Sequence, residues 1–276
     1  MSRILLSSLL AAGLFCSLPA SAATGCMLFA DGSGKPFSAQ GDCASQLPPA
    51  STFKIPLALM GYDSGFLVDE QLPALPFKAG DPDFLPEWKQ TTTPSRWMTY
   101  SVIWYSQRLT EWLGAARFQQ YVDRFDYGNR DLSGNRDLSG NRDLSGNPGK
   151  HDGLTQAWLS SSLAISPQEQ ARFLGKLVSG KLPVSAQTLQ HTANILRQPD
   201  IDGWQIHGKT GMGYPKLLDG SLDRDQQIGW FVGWASKQDQ KLIFVHTVIQ
   251  KPGKQFASLR AREEVFAALP EQLKKL

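Results

Sequence analysis

The feature that most constrains the fold is a change of hydrophobic period along the chain. Strand-like sequence lies near both ends, as a hairpin pattern and three β-rich runs at residues 25–43, 204–210, 228–235 and 241–249. Helical spacing of apolar residues predicts helices at 51–62, 96–126, 166–177, 185–196 and 256–273. Strands at the two ends bury their faces most simply by pairing with each other. The sequence therefore predicts an α/β fold of the α+β type: an antiparallel sheet formed by both chain ends and flanked by helices, with a mostly helical second lobe. We expect the functional cleft between the lobes.

Composition excludes several classes of function. The net charge of +3 over 276 residues is too balanced for nucleic-acid binding driven by charge. The four His and three Cys form no C-x-x-C, H-x-H or H-E-x-x-H pattern, so no metal site is predicted. No apolar run reaches the roughly 18 residues of a membrane helix. We expect small-molecule partners, with no nucleic acid and no membrane anchor, and leave monomer and homodimer open.

Residues 1–22 have the parts of a secretory signal peptide. Arg3 gives a positive start, residues 4–18 are apolar, and Ala20-Ser21-Ala22 fits a cleavage site. A buried N-terminal helix is the alternative. Cleavage predicts a periplasmic protein with one domain, residues 23–276. In that oxidising compartment, Cys26 and Cys43 at the two ends of the predicted hairpin favour a structural disulfide over two free thiols.

Ser51-Thr52-Phe53-Lys54 is the first candidate for chemistry. Residues three apart at the start of a helix share one face, and a helix N-terminus favours a developing anion. Lys54 is placed to accept the Ser51 proton, but its ordinary pKa of about 10.4 must first be changed by burial or modification. Alone, the S-x-x-K spacing is weak, since it also fits a helix cap beside a surface lysine.

Lys209-Thr210-Gly211 on a predicted strand is the second candidate. It offers a cation, a hydroxyl and a glycine against which a ligand can lie. S-x-x-K followed by a late K-T-G is typical of the penicillin-recognising serine hydrolases. With Tyr100-Ser101-Val102-Ile103-Trp104, Tyr127-Gly128-Asn129 and Trp158-Leu159, the chain resembles the class D (oxacillinase-type) β-lactamases from Cys26 to the last helix.

The resemblance implies a β-lactamase/transpeptidase-like catalytic domain that hydrolyses penicillins or cephalosporins, with carbapenems left open. Ser51 would be the acylated nucleophile, and Lys54, carboxylated by carbon dioxide or bicarbonate, the general base; no other cofactor is implied. Trp158 would donate its indole N–H to that carbamate, and Ser101 would relay a proton to the leaving nitrogen. The backbone N–H groups of Ser51 and Met212 would form the oxyanion hole.

The resemblance also implies a set of substrate contacts: Lys209, Thr210, Gly211, Ile103, Tyr127, Asn129 and Leu159. An arginine would hold the substrate carboxylate together with Thr210, since its fork suits a carboxylate. Arg262 on the last helix matches best, with Arg260 as the alternative and a solvated helix arginine also open. The chain departs from the family at Ile103, where valine is usual, so the rate of deacylation is open.

The hexapeptide Asn-Arg-Asp-Leu-Ser-Gly occurs three times in tandem over residues 129–146. Its turn-forming, polar composition predicts one family-like copy plus two inserted copies in a loop at the edge of the active site. One interpretation is a tolerated surface loop, because lengthening a loop costs little. The other is a looser loop that widens the cleft and holds Trp158 less firmly.

Two other functions share part of these motifs. A D,D-peptidase or penicillin-binding protein would be acylated and would deacylate slowly. A non-enzymatic β-lactam receptor would also react once and stop. Turnover separates a hydrolase from both.

Overall fold

The computed structural model describes residues 25–134, 152–217 and 219–276. The predicted signal peptide and the second and third repeat copies lie outside the described residues. Among those that are described, no helix is both long enough and apolar enough to cross a membrane.

The strands of the described residues form one antiparallel sheet. They are β1 (Cys26–Asp31), β2 (Pro36–Gly41), β3 (Gln205–Gly213), β4 (Gln227–Lys237) and β5 (Gln240–Gln250). Their order is β2-β1-β5-β4-β3, so the N-terminal hairpin joins the C-terminal strands through the β1–β5 pair. This confirms the predicted sheet built from both chain ends. It also leaves β3 at one edge, where residues 196–198 pair with the outer side of its first half, at Ile206 and Gly208.

Helices surround the sheet. They are α1 (Lys54–Ser64), α2 (Pro94–Tyr100), α3 (Ile103–Phe125), α4 (Gly153–Gln156), α5 (Pro167–Val178), α6 (Ala186–Ile195) and α7 (Ala257–Leu273), with short 3-10 turns at Ala50–Phe53 and Pro86–Trp88. The helical stretch predicted over 96–126 is divided into α2 and α3. Ser101 causes the break, because its φ of 58° is left-handed. The predicted start of α5 is confirmed, since Ser166 caps it in a capping box with Glu169.

The two faces of the sheet bury alternate residues of each strand. On β4, Phe231 packs against Val265 and Leu269 of α7, whereas Trp230 and Val232 face the large core that contains the helices of the second lobe. This is the period of two that a doubly covered strand requires. The sheet is thus fixed from both sides, and it gives the site a rigid wall.

A disulfide between Cys26 and Cys43 ties the start of β1 to the segment after β2, as the hairpin pattern predicted. Hydrogen bonds also hold the segment between β2 and Ser51 at Leu47 and Pro48. Leu47 exchanges backbone hydrogen bonds with Ile165, and Trp230 donates its indole N–H to Pro48 O at 3.0 Å. These contacts position the turn that carries Ser51.

Candidate active site

Ser51 lies in the 3-10 turn directly before α1. The turn is anchored on both sides: Ala50 N donates to Trp158 O at 3.0 Å, and Thr52 Oγ1 donates to Pro49 O at 2.6 Å. Gln170 of α5 in turn donates to Thr52 Oγ1 at 3.0 Å. Ser51 itself is only partly buried and lines a cleft. The hydrogen-bonded turn therefore holds the Ser51 hydroxyl at the surface of the cleft.

Lys54 has no exposed surface, although it carries an amine. Its Nζ lies 3.2 Å from Ser51 Oγ. Burial, and then the nearby Lys209, lower the pKa of Lys54 well below its usual value. Burial therefore favours the neutral amine, which is the form that can act as a base or as a nucleophile toward carbon dioxide.

Trp158 borders the same interior. Its ring stacks on Phe53, the neighbour of Lys54, at 5.6 Å between centroids, and meets Phe118 edge-on at 6.3 Å. The indole Nε1 is buried and has no hydrogen-bond partner among the described residues. A buried donor without an acceptor costs about 1–3 kcal/mol. This orphaned N–H indicates that an acceptor is expected here.

The second half of β3 forms the wall opposite the Ser51 turn. A side chain at Gly211 would place its Cβ 3.0 Å from Pro49 O and from Thr52 N. Glycine thus allows the strand to lie directly against the turn. Gly211 and Met212 line the cleft with Ser51, an arrangement that permits the predicted oxyanion hole.

Lys209 lies behind this edge. It is 4% exposed, and its Nζ donates to Thr210 O at 3.1 Å. Burial lowers the pKa of Lys209 to about 7. Lys209 lines a second cavity of about 350 Å³ with Arg262, and Thr210 lines both this cavity and the cleft. Thr210 therefore lies between the nucleophile's cleft and the cavity of these two basic side chains.

Ser101 enters the cleft from the helical lobe. It occupies the left-handed position that ends α2, which is uncommon for a residue other than glycine. Its Oγ is buried and has no hydrogen-bond partner among the described residues. Ile103, two residues on, also lines the cleft. The strained turn directs a free hydroxyl towards the nucleophile's cleft.

The two candidate arginines lie on different sides of α7. Arg262 donates from Nε to Gln198 Oε1 at 3.2 Å and faces the cavity of Lys209 and Thr210. Arg260 donates to Glu264 at 2.7 Å and lines a different cavity beside His246. The geometry favours Arg262 over Arg260 as the carboxylate anchor.

Three predicted substrate contacts lie outside the cleft. Tyr127 is fully buried, its ring packs edge-on against Phe53, and its hydroxyl accepts a hydrogen bond from Gln170. Asn129 holds the backbone of Ser162 and Ala164. The polar groups of both residues bind within the fold, and their contacts with substrate stay predictions. Leu159 packs on the main core and does not line the cleft.

The cleft also contains residues that motif reasoning missed. It has a volume of about 620 Å³ and is lined further by Pro82, Asp83, Phe84, Leu85, Trp88, Tyr100, Tyr214, Arg224, Phe256 and Ser258. Most belong to irregular segments with no periodic signal. Tyr100 is the exception, since it belongs to a motif named from the sequence; its carbonyl accepts the indole N–H of Trp88 at 2.8 Å.

Residues 22–271 match the family described as "Penicillin binding protein transpeptidase domain". This match defines the class to which the fold and the S-x-x-K and K-T-G groups point. Among named relatives, β-lactamase OXA-9 of Klebsiella pneumoniae is 38% identical over 252 residues, which cover 89% of this chain and 86% of its own. β-lactamase OXA-1 of Escherichia coli is 34% identical, with coverage of 89% and 83%.

A crystal structure of the class D β-lactamase OXA-427 is 95% identical, covers 91% of this chain and 99% of its own, and superposes with a TM-score of 0.85. The chain belongs to the class D β-lactamases, which are serine hydrolases of β-lactams. The resemblance seen in the motifs is thereby confirmed.

Proposed function

We propose that this chain opens the β-lactam amide through an acyl-enzyme on Ser51, with Lys54 carboxylated at Nζ as the general base. The observation that carries the proposal is the 3.2 Å contact between Ser51 Oγ and the Nζ of a lysine with no exposed surface. An amine that is kept neutral by burial can react with carbon dioxide, whereas an ammonium cannot.

The surroundings of Lys54 fit a carbamate. Such a group would need hydrogen-bond donors in an interior that holds few, and the buried Trp158 Nε1 is a donor without an acceptor. Ser51 Oγ supplies a second donor at the same place. The carbamate would give the site an anionic oxygen base whose strength suits proton transfer near neutral pH.

In acylation, Ser51 Oγ attacks the lactam carbonyl carbon and transfers its proton to the Lys54 side chain. The backbone N–H groups of Ser51 and Met212 stabilise the oxyanion. As the C–N bond breaks, Ser101 gives its hydroxyl proton to the nitrogen and takes up the proton held by the Lys54 side chain, which restores the base for deacylation. The buried Ser101 Oγ, which has no hydrogen-bond partner among the described residues, supports this relay.

In deacylation, a water attacks the acyl carbon and loses its proton to the Lys54 side chain, and Ser51 Oγ leaves with a proton. Thr210 and Arg262 hold the substrate carboxylate, and Ile103 forms part of the apolar wall beside the nucleophile. We place this reaction in the periplasm, after removal of residues 1–22, with residues 23–276 as the catalytic domain.

Steady-state hydrolysis of a chromogenic cephalosporin by residues 23–276, with and without added bicarbonate, tests the proposal. We expect sustained turnover that rises with bicarbonate, most strongly at acid pH. Ser51→Ala should abolish turnover, and ¹³C-bicarbonate should give a carbamate signal in the wild type that Lys54→Met lacks. A single stoichiometric burst with Ser51 left acylated would instead assign a penicillin-binding or receptor protein. Normal deacylation in Lys54→Ala would refute the general base.

A further inference from the structure

The cleft contains one cation whose charge the described fold does not use. Its charged lining residues in the described structure are Asp83 and Arg224. Asp83 pairs with Lys89 at 2.9 Å. Arg224 forms no salt bridge with any described carboxylate, and its guanidinium lies over the ring of Tyr214 at 5.0 Å from the centroid. Five N–H donors thus remain available beside the nucleophile.

Backbone hydrogen bonds hold described residues on both sides of the connection between β3 and β4 that carries Arg224. Tyr214, the first residue after β3, donates its N–H to Ser160 Oγ at 3.0 Å. Asp223, the neighbour of Arg224, donates its N–H to Pro215 O at 2.9 Å and so closes the segment near its base. Tyr214 is therefore a fixed platform, and stacking on it pre-organises the guanidinium for a planar anion.

This cation is separate from the proposed anchor for the ring carboxylate. That carboxylate is assigned to Thr210, and Tyr214 is four residues further along the same strand direction. At a strand rise of about 3.3 Å per residue, the two positions are about 13 Å apart. With Ser51 and Met212 between them, the acylamino side chain of a bound β-lactam extends toward Tyr214 when its ring carboxylate lies at Thr210.

We propose that Arg224 is a specificity-determining residue that binds a carboxylate on the β-lactam's acylamino side chain. The enzyme would then favour dianionic β-lactams over neutral-side-chain analogues of the same size. The inference rests on the proposed function, because it uses that orientation of the substrate. Phe84, Leu85 and Phe256 line the same cleft and offer apolar contacts to the rest of that acylamino side chain.

The test is a matched substrate pair: benzylpenicillin and its α-carboxybenzyl analogue, which differ by one carboxylate. The readout is the ratio of kcat/KM for the carboxylated over the neutral compound. In Arg224→Gln we expect this ratio to fall about tenfold, which is about 1.4 kcal/mol, mainly through KM. Benzylpenicillin itself should change less than twofold. Arg224→Lys, which keeps the charge but not the fork, should retain part of the ratio.

Arg117→Gln is the matched control, because Arg117 also lies over an aromatic ring, that of Trp112, but does not line the cleft. It should leave the ratio unchanged. Raising the salt concentration should lower the ratio of the wild type and not that of Arg224→Gln, since screening acts on the ion pair. Equal ratios in wild type and Arg224→Gln, with both proteins folded, would overturn the inference while leaving β-lactam hydrolysis intact.

Should neither penicillin be turned over by the wild type, the proposed function fails at deacylation. The rate constant of Ser51 acylation is then measured for each compound by mass spectrometry. The ratio of these two rate constants, carboxylated over neutral, replaces the ratio of kcat/KM. A tenfold drop in that ratio in Arg224→Gln would still support the binding role, and no drop would reject it.

Discussion

A lysine without exposed surface defines the chemistry of this site and opposes its stability. The folded chain holds the pKa of Lys54 below its unfolded value. The unfolded chain therefore binds more protons at every pH between the two values, and the folded state loses stability as the pH falls through that window. A buried amine retained at such a cost is typical of functional sites.

Lys54→Met tests this conflict between stability and activity. Methionine fills a similar volume and removes the buried amine, so in buffer free of carbon dioxide, where Lys54 carries no carbamate, we expect the free energy of unfolding at pH 7 to rise by about 1–2 kcal/mol. The melting temperature should rise by about 2–8 °C. Turnover should be lost. Thermal unfolding by circular dichroism measures the first effect, with the exposed Lys274→Met as control. A lower melting temperature for Lys54→Met than for Lys274→Met would contradict the argument.

Lys209 predicts an alkaline limb in the pH profile. Burial lowers its pKa to about 7, so its cation is present below that pH and is lost above it. Because the cation lies beside Thr210, kcat/KM for a monoanionic penicillin should fall as the pH rises from about 7 to 9. Lys209→Arg keeps its charge throughout this range and should remove the fall, whatever its absolute rate. An identical limb in Lys209→Arg would assign the titration to another group.

The sequence predicts the reacting residues better than their surroundings. Ser51, Lys54 and Lys209 come from short motifs, in which spacing alone fixes which groups can meet. Tyr127 also belongs to a motif, but only the fold shows that its ring fills the core behind Phe53. Arg224 belongs to no motif, because its place in the cleft depends on how residues 214–226 cross between two strands.

The edge strand β3 packs directly against the Ser51 turn because residue 211 is a glycine. A Cβ at position 211 would lie 3.0 Å from Pro49 O, Thr52 N and Thr52 Cγ2. Two of these are backbone atoms of a turn that is hydrogen-bonded on both sides, so the strand rather than the turn must move. The distance between the Met212 amide and Ser51 therefore depends on residue 211.

Gly211→Ala should lower kcat by about tenfold to a hundredfold, since misplacing one oxyanion donor is enough for such a loss. Overpacking should lower the free energy of unfolding by about 1–3 kcal/mol. Chromogenic cephalosporin turnover and urea unfolding measure the two effects. Gly253→Ala is the control, because its Cβ would meet only Lys251 O, at 4.0 Å. Full activity in Gly211→Ala would show that β3 can shift without affecting the oxyanion hole.

Elements were predictable where periodicity is strong and less so where one residue overrides it. The apolar spacing over 96–126 is continuous, yet the chain breaks at Ser101, whose left-handed backbone no spacing rule encodes. Leu259 continues the apolar pattern of the last helix but is 47% exposed, because the buried Ala257 and Ala261 face the sheet and Leu259, two residues from each, lies on another side of α7. By contrast, the cap at Ser166 was predictable, since the residues that form it are adjacent in sequence.

At the scale of the whole molecule, the active site depends on both ends of the chain. The S-x-x-K turn follows the N-terminal hairpin, and K-T-G lies on a strand from the last third of the chain. The β1–β5 pair joins these segments, with Phe29 opposite Phe244 and Leu28 opposite Val245. A contact this distant in sequence was predicted only from the need of end strands for partners. The helical lobe then closes the cleft by adding Ser101.

The tandem repeat lies at the edge of this assembly, and the described residues favour the tolerated-loop interpretation. Its first copy is built into the fold, since Asn129 binds Ser162 and Ala164, and Gly134 N donates to Ser162 Oγ at 2.9 Å. Trp158 is held by Phe53, Phe118 and the Ala50 amide, all within the described chain. The described part of the chain thus supports Trp158 from three sides.

Deleting residues 135–146 tests both interpretations of the repeat. The described ends already touch, because a Cβ at Gly134 would lie 2.4 Å from Gly153 N, so the five residues 147–151 can close the gap. We expect an unchanged or slightly higher melting temperature, since a shorter loop loses less entropy on folding. Kinetics on a small penicillin and on a bulky cephalosporin should both stay within about twofold. Faster turnover of the penicillin with loss of the cephalosporin would instead support the interpretation that the inserted copies widen the cleft.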